Sequence, residues 1–403
     1  MKGIIFGAGS VGRGFIGELF FDANMEICFI DINETIINGI NNKNNYPHIT
    51  VYNDQQTVKW IDNCRAISSL NEEDVIAEIE TADIIATSLG ANVLSVIAPA
   101  LAKGLINRLK AKNKGINILL CENLPNVDQY MFNLLIKEIA EEDQSLFSKK
   151  IGLLSTSIGR MIPISSVETQ EIHPAAIKVE PYKFLPYDGS AIKEDFPSIP
   201  NLIWDESVDF SYYADRKLYI HNMGHCLTAY LSEYFDYEYI WQGILNPVIR
   251  YFVRSAMIES AVGLATKYNK PVDKLIAHID NLIMRFGNKA LLDTCERVGR
   301  DPERKLKADD RFLGALNMCL EQDTSANHLS LGVALGLIKL TENTNSKLEK
   351  IHDYLKSEYP KILTEAYKTQ FNILKDQLAE IILGFDYQQQ IDLIDIYSAQ
   401  NII

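Results

Sequence analysis

Short apolar runs and amphipathic stretches alternate through the first half of the chain. Gly3–Phe6, Ile27–Ile30, Ile84–Thr87, Ile116–Cys121 and Ile151–Ser155 are brief and rich in Ile and Leu, as strands buried on both faces are. Between them, Phe15–Ala23, Asn71–Glu80 and Pro99–Lys112 carry a helical pattern. The last opens on a proline, which the first turn of a helix tolerates. Strand, helix, strand in this rhythm predicts a parallel, doubly wound sheet with right-handed crossovers.

From about Asp215 the pattern becomes helical, over Lys217–Phe235, Asn246–Tyr268, Val272–Phe286, Ser330–Leu340, Leu348–Tyr359 and Ile362–Gly384. The intervening Gln170–Pro200 is richer in proline and turn residues and holds a β-like stretch at Ala176–Glu180. The predicted class is therefore α/β: an N-terminal Rossmann sheet over residues 1–195, then a mostly α-helical C-terminal domain over 196–403. Asn41–Asn45 and Asn343–Asn345 read as surface loops, and no internal repeat is evident.

The first candidate chemistry follows the first strand. Phe6 leads into Gly7-Ala8-Gly9-Ser10-Val11-Gly12, a G-x-G-x-x-G that opens an amphipathic helix. Gly7 permits the tight turn, Gly9 lets the backbone approach a pyrophosphate, and Gly12 allows close packing of helix on strand. The helix N-terminus then offers free N–H groups to the phosphates. The second strand ends at Asp31, roughly 20 residues beyond the glycines, where a carboxylate accepts from a ribose 2′-hydroxyl and repels a 2′-phosphate. NAD is thus the expected cofactor. Gly90, after the strand Ile84–Thr87, is a further position where the backbone can pass close to it.

Composition narrows the partners. A net charge of −14 over 403 residues argues against a nucleic-acid partner, which calls for an excess of Lys and Arg. A small-molecule substrate is expected instead. No apolar run is long enough to span a bilayer, and the opening Met1-Lys2-Gly3-Ile4-Ile5-Phe6 reads as a strand rather than a signal peptide. The six cysteines are scattered without a C-x-x-C pair, so neither a disulfide framework nor a zinc ribbon is predicted. A cytoplasmic location and no bound metal are the expectations.

The densest set of catalytic candidates is Arg216–His225. In a helix, Lys217, Asn222 and His225 stand at i, i+5 and i+8, within one broad arc. A lysine acting as base needs its pKa brought from about 10.4 towards about 7–8 by burial or a neighbouring cation. His221 and His225 have the spacing of a zinc pair, but Asn222 breaks the H-E-x-x-H pattern. Solvated polar residues on a helix surface are the alternative.

These segments carry a resemblance. Gly7-Ala8-Gly9-Ser10-Val11-Gly12-Arg13-Gly14-Phe15, Cys121-Glu122-Asn123, Lys217-x4-Asn222-x2-His225 and Glu296-Arg297-Val298-Gly299-Arg300 together resemble the polyol-specific long-chain dehydrogenases, nearly end to end. The resemblance implies a metal-independent oxidoreductase in which Lys217 is the general base, Asn222 and Asn123 hold the reacting oxygen, and His225 orients the substrate. It is nearest to the phosphate-using branch, which implies NAD-dependent interconversion of mannitol 1-phosphate and fructose 6-phosphate. Arg297, Arg300, Arg304 and Lys305 are the candidates for the substrate phosphate, because Arg suits bidentate phosphate contacts. Interleaved acids such as Glu296, Asp301 and Glu303 leave a salt-bridged surface as the alternative. A relative acting on an unphosphorylated polyol or a hexuronate, or a non-catalytic NAD-binding regulator, are the competing functions. The chain departs from the family at Ile158-Gly159-Arg160, where Asp-Arg is usual, so Arg160 is expected to be held differently.

Overall fold

The computed structural model describes residues 1–163, 165–195 and 197–344. Eight strands lead the chain: β1 (Lys2–Phe6), β2 (Glu26–Asp31), β3 (Tyr46–Tyr52), β4 (Gln55–Ile61), β5 (Cys64–Ser68), β6 (Ile84–Thr87), β7 (Ile116–Leu120) and β8 (Ile151–Ser155), with a short β9 at Ile177–Val179. Six of them form one parallel sheet in the order β5-β2-β1-β6-β7-β8. That order reverses at β1, as a doubly wound dinucleotide-binding sheet requires. Alternate residues feed two cores. Ile5, Phe29, Ala86 and Leu119 pack on one face, and Ile4, Cys28, Ile85 and Ile118 on the other. All five strands expected from apolar runs are present.

The sixth strand, β5, escaped the pattern because it lies at the sheet edge, where Arg65, Ile67 and Ser68 are only half-buried. The β-like stretch Ala176–Glu180 contains β9, but the sheet it joins was not expected: β4 and β9 flank β3, antiparallel and parallel respectively. Its signal was a two-residue Asn53-Asp54 loop, with Asn53 at φ 52° between Tyr52 and Gln55, which closes a hairpin.

Three readings are corrected. Asn41–Asn45 is not a surface loop: the helix Glu34–Lys43 runs through it and ends on a left-handed Asn44. There Asn41 pairs with both backbone polar groups of Ala66. The helix holding Pro99 begins at Ala91 rather than at the proline, behind Gly90 at φ 89°. Its apolar face, including Leu94, Ile97, Ala98 and Leu101, is buried, and that burial outweighs the one hydrogen bond Pro99 removes. Asn343 falls inside the helix Asn327–Thr344; Asn345 and the expected helices Leu348–Tyr359 and Ile362–Gly384 lie outside the described residues.

The chain divides into two compact units, Met1–Tyr213 and the residues from Ala214. Residues 196–213, grouped by composition with the helical half, belong to the first. Leu185 and Tyr187 donate their amides to Asn201 and Ile203, and the Ser157 hydroxyl bonds the Tyr213 carbonyl at 3.3 Å. The second unit is helical through its described residues, with the long helices Met223–Tyr234, Pro247–Tyr268 and Asp273–Phe286. No described helix is long and apolar enough to cross a membrane. All six cysteines are buried, unpaired thiols.

Candidate active site

In the first unit the predicted residues converge on the carboxyl ends of β1, β2, β6 and β7. Phe6 ends β1 buried, and its carbonyl accepts from the Ser88 amide at 2.8 Å. Gly7 turns at φ 98°, and a Cβ there would stand 2.7 Å from the Ser88 carbonyl oxygen. At Gly12 a Cβ would lie 1.9 Å from the Gly7 carbonyl oxygen. At Gly9 it would meet nothing within 4 Å. Gly7 and Gly12 are thus demanded by the protein itself, whereas Gly9 leaves open space where a pyrophosphate needs close approach. Ser10 and Val11 begin the helix, Ser10 exposed and Val11 half-buried.

Asp31 sits beside this turn. One carboxylate oxygen accepts from the Ala8 amide at 2.6 Å, and the other from the amides of Ile32 and Asn33 at 2.8 and 2.9 Å. Gly90 is exposed at φ 89°, with open space where a Cβ would go. The loop before Gly90 is tied down by Glu122, which accepts from the Thr87 hydroxyl at 2.7 Å and the Leu89 amide at 3.1 Å. Burial pushes the Glu122 carboxyl above its ordinary value, against those hydrogen bonds. Asn123, next along the chain, is exposed. Strand ends, glycine turn and acidic residue together suit a dinucleotide at the point where the strand order reverses.

In the second unit, Arg216–Asn222 is a π-helical turn that continues into the helix Met223–Tyr234. The Met223 amide reaches back five residues to the Leu218 carbonyl. In such a turn residues five apart stack as those four apart do in an α-helix. Lys217 and Asn222, at opposite edges of the arc in an α-helix and about 140° apart, are therefore drawn onto one side, and His225 follows within a turn. The segment is anchored at Asp215, whose carboxylate takes the Lys267 ammonium at 2.7 Å and the Tyr268 hydroxyl at 2.8 Å. The Ser260 hydroxyl bonds the Tyr219 carbonyl at 2.8 Å.

Lys217 is half-buried as a residue, and its ammonium is desolvated. Burial, with the Arg311 guanidinium as a second cause, pushes it down to about 8. His225 stacks on Phe286, ring centroids 4.9 Å apart, and its Nε2 lies 3.1 Å from Asp293. Burial raises the Asp293 carboxyl, and His225 and Arg297 more than offset it, leaving it below the ordinary value. His221 is buried in the same aromatic group and held well below its usual value, by burial first and Arg285 second.

A comparison with family models assigns residues 1–201 to the mannitol dehydrogenase Rossmann domain and residues 209–392 to the mannitol dehydrogenase C-terminal domain. The chain belongs to the mannitol dehydrogenase family. Among solved structures it is similar to a D-sorbitol dehydrogenase in substrate-free form, at 14% identity and a TM-score of 0.73, covering 84% of this chain and 80% of that one. It is also similar to the Pseudomonas fluorescens mannitol 2-dehydrogenase in a ternary complex with NAD and D-mannitol. There the identity is 14%, the TM-score 0.67, and the coverage 85% and 79%. At such identities the structures speak for the shared fold.

The arginine-rich segment of this family member is heavily bonded internally. Arg297 donates through Nε to Asp293 at 2.8 Å, and Arg304 pairs with Asp310 at 3.2 Å. Lys305 is buried and its ammonium bonds the carbonyls of Val298 and Arg300. Arg300 is exposed, with a 3.3 Å bond to the Arg297 carbonyl. Arg160 is buried too. Its guanidinium bonds Glu18 at 2.6 Å and the carbonyls of Gly14 and Glu180. Glu18 is the acidic partner it meets where the family pattern would put an Asp at 159. Asp293 and Phe286 were missed by sequence reading; each meets its partner through tertiary packing, which residue spacing does not report. Arg311, part of the arginine-rich cluster in the sequence, stands instead near Lys217.

Proposed function

We propose that this chain is an NAD-dependent polyol dehydrogenase that interconverts mannitol 1-phosphate and fructose 6-phosphate. The observation that carries the chemical step is the Lys217 amine, with its proton affinity lowered to about 8 and Asn222 one π-turn along. A base in that range is neutral in about a tenth to a fifth of molecules near physiological pH, far more than an ordinary lysine, and is still basic enough to take a proton.

In oxidation, neutral Lys217 accepts the hydroxyl proton of the carbon being oxidised; in reduction, its ammonium returns a proton to the carbonyl oxygen. Asn222 donates its amide N–H to that oxygen, where negative charge develops; the family resemblance assigns Asn123 the same role. His225, fixed between Phe286 and Asp293, orients the substrate. Bound NAD supplies the hydride acceptor for oxidation and, reduced, the donor for the reverse. Gly9 and Gly90 would leave room for it, the amides at the start of the helix behind the glycine turn would hold its pyrophosphate, and Asp31 would hold its ribose.

The phosphate reading draws on the family branch that Glu296–Lys305 resembles and on its concentration of Arg in a chain of net charge −14. A second reading, an unphosphorylated polyol, is favoured by the internal bonds of Arg297, Arg304 and Lys305. Steady-state reduction of fructose 6-phosphate and of fructose, each with NADH, separates them. The expected result is a kcat/KM at least about 100-fold higher for the phosphate, the discrimination one charge-assisted pair supplies. A preference for fructose overturns the phosphate assignment and leaves the dehydrogenase standing.

A further inference from the structure

The helix behind the glycine turn opens irregularly. Gly12–Ile16 is a π-turn, with the Gly17 amide reaching five residues back to the Gly12 carbonyl. Buried donors take up its carbonyls. The Tyr46 hydroxyl bonds the Arg13 carbonyl at 2.7 Å, and Arg160 bonds that of Gly14 at 2.9 Å, with His48 Nε2 at 3.3 Å from the same oxygen. A helix distorted at this point would be an expense without use unless the distortion places something.

What it places is the Arg13 side chain. Arg13 is 5% exposed, yet it runs back beneath the turn rather than out to water. Its Nε donates to the Ala8 carbonyl at 2.5 Å and its Nη1 to the Ala176 carbonyl at 3.2 Å. Ala8 is thereby gripped at both ends of its backbone, its amide by Asp31 at 2.6 Å and its carbonyl by Arg13. Among the described residues, Arg13 makes no ion pair with a carboxylate, whereas buried Arg160 is matched by Glu18 at 2.6 Å. A desolvated guanidinium bonded only to carbonyls is costly; the Asp31 carboxylate across Ala8 offsets part of that cost, and a second anion beside the turn would offset more.

We propose that Arg13 is the positioning residue for the coenzyme pyrophosphate: it fixes the Ala8 peptide of the glycine turn and stands behind it as the buried counter-charge to the diphosphate. Bound to Ala8, it acts on the diphosphate through the turn rather than by touching it. This rests on the dinucleotide reading of the site, and goes beyond it by assigning a residue that the glycine pattern leaves without a role.

The test uses Arg13→Met, which keeps length and loses charge and donors, and Arg13→Lys, which keeps the charge. Dissociation constants are measured for NADH by fluorescence, and for ADP-ribose and adenosine by competition, with KM for NAD and kcat alongside. Arg13→Met is expected to weaken NADH and ADP-ribose alike by about 10- to 100-fold, the loss of one charge-assisted anchor. Adenosine, which lacks the diphosphate, is expected to bind as before. Arg13→Lys is expected to lie between, with the loss in KM for NAD rather than in kcat. Wild-type affinity for NADH in Arg13→Met overturns the proposal, as does an equal loss for adenosine, which would mark general damage. Should Arg13→Met not fold, Arg13→Lys carries the same comparison. If the wild type itself does not bind NADH, it is the coenzyme reading that fails.

Discussion

Two π-turns lie under the candidate chemistry, and they serve it in opposite ways. At Gly12–Ile16 the proposed binding group is the backbone, and buried side chains (Arg13, Tyr46, Arg160) hold carbonyls of the turn in place. At Arg216–Asn222 the proposed reagents are the side chains, and the backbone brings residues five apart onto one side. The first should therefore be sensitive to steric and charge changes that leave turnover intact. The second should be sensitive to deletion of a functional group that leaves coenzyme binding intact.

The sharpest way to break this contrast is Lys217→Ala. Removing the base is expected to lower kcat on the order of 10²–10⁴, with NADH affinity by fluorescence close to wild type. Undiminished turnover would take Lys217 out of the mechanism. The pH profile carries the same claim with a sign. Oxidation needs the neutral amine, so its kcat/KM should rise with pH and level off above about 8. Reduction needs the ammonium and should fall over the same range. Because Arg311 contributes to the lowered value, Arg311→Leu should move both profiles to higher pH. Profiles flat between pH 7 and 9 would sink the assignment.

A smaller effect comes from the glycines, where two alanines separate fold from ligand. Gly12→Ala puts a Cβ against the Gly7 carbonyl oxygen and should cost about 1–3 kcal/mol of stability, as overpacking does, while weakening NADH. Gly9→Ala meets no protein atom within 4 Å. Its Tm should stay at the wild-type value while the Kd for NADH rises about 10-fold, the equivalent of one poor contact. Equal melting losses in the two variants would mean that the open face of Gly9 is not the ligand face.

The same contrast explains what could be read from residues alone. Gly7, Gly9, Gly12 and Asp31 were legible because turn sterics and strand length set their spacing, and those are local. The apolar strands β1, β2, β6, β7 and β8 were legible because burial on both faces leaves a continuous apolar run. Edge strand β5, half-exposed, leaves none. Lys217, Asn222 and His225 were picked out as one broad arc of an α-helix; the π-turn that narrows the arc is not encoded in any periodicity. Arg13 illustrates the limit best. It stands in plain view after the third glycine, yet only the backward course of its side chain to Ala8 distinguishes it from a solvated helix arginine.

The least of the expected effects concerns the support of the first turn under acid. Glu18 is buried with Arg160, Lys59 and Lys183 around it and His48 at 3.5 Å. Burial raises its carboxyl, but His48, Arg160 and Lys59 outweigh that and hold it down to about 2. His48, buried in the same group, is pushed down to about 4, chiefly by burial. Both groups bind protons more readily in the unfolded chain, so stability falls as pH falls. The His48 contribution is lost from about 6.5 towards 4, and the Glu18 contribution from about 4.5 towards 2. Tm measured across pH 7 to 3 should decline, and Glu18→Gln should start lower and decline less steeply below 4.5, because the carboxylate that titrates there is gone. A parallel slope in the variant would mean that the Glu18 carboxylate does not hold the Arg160 side of the turn.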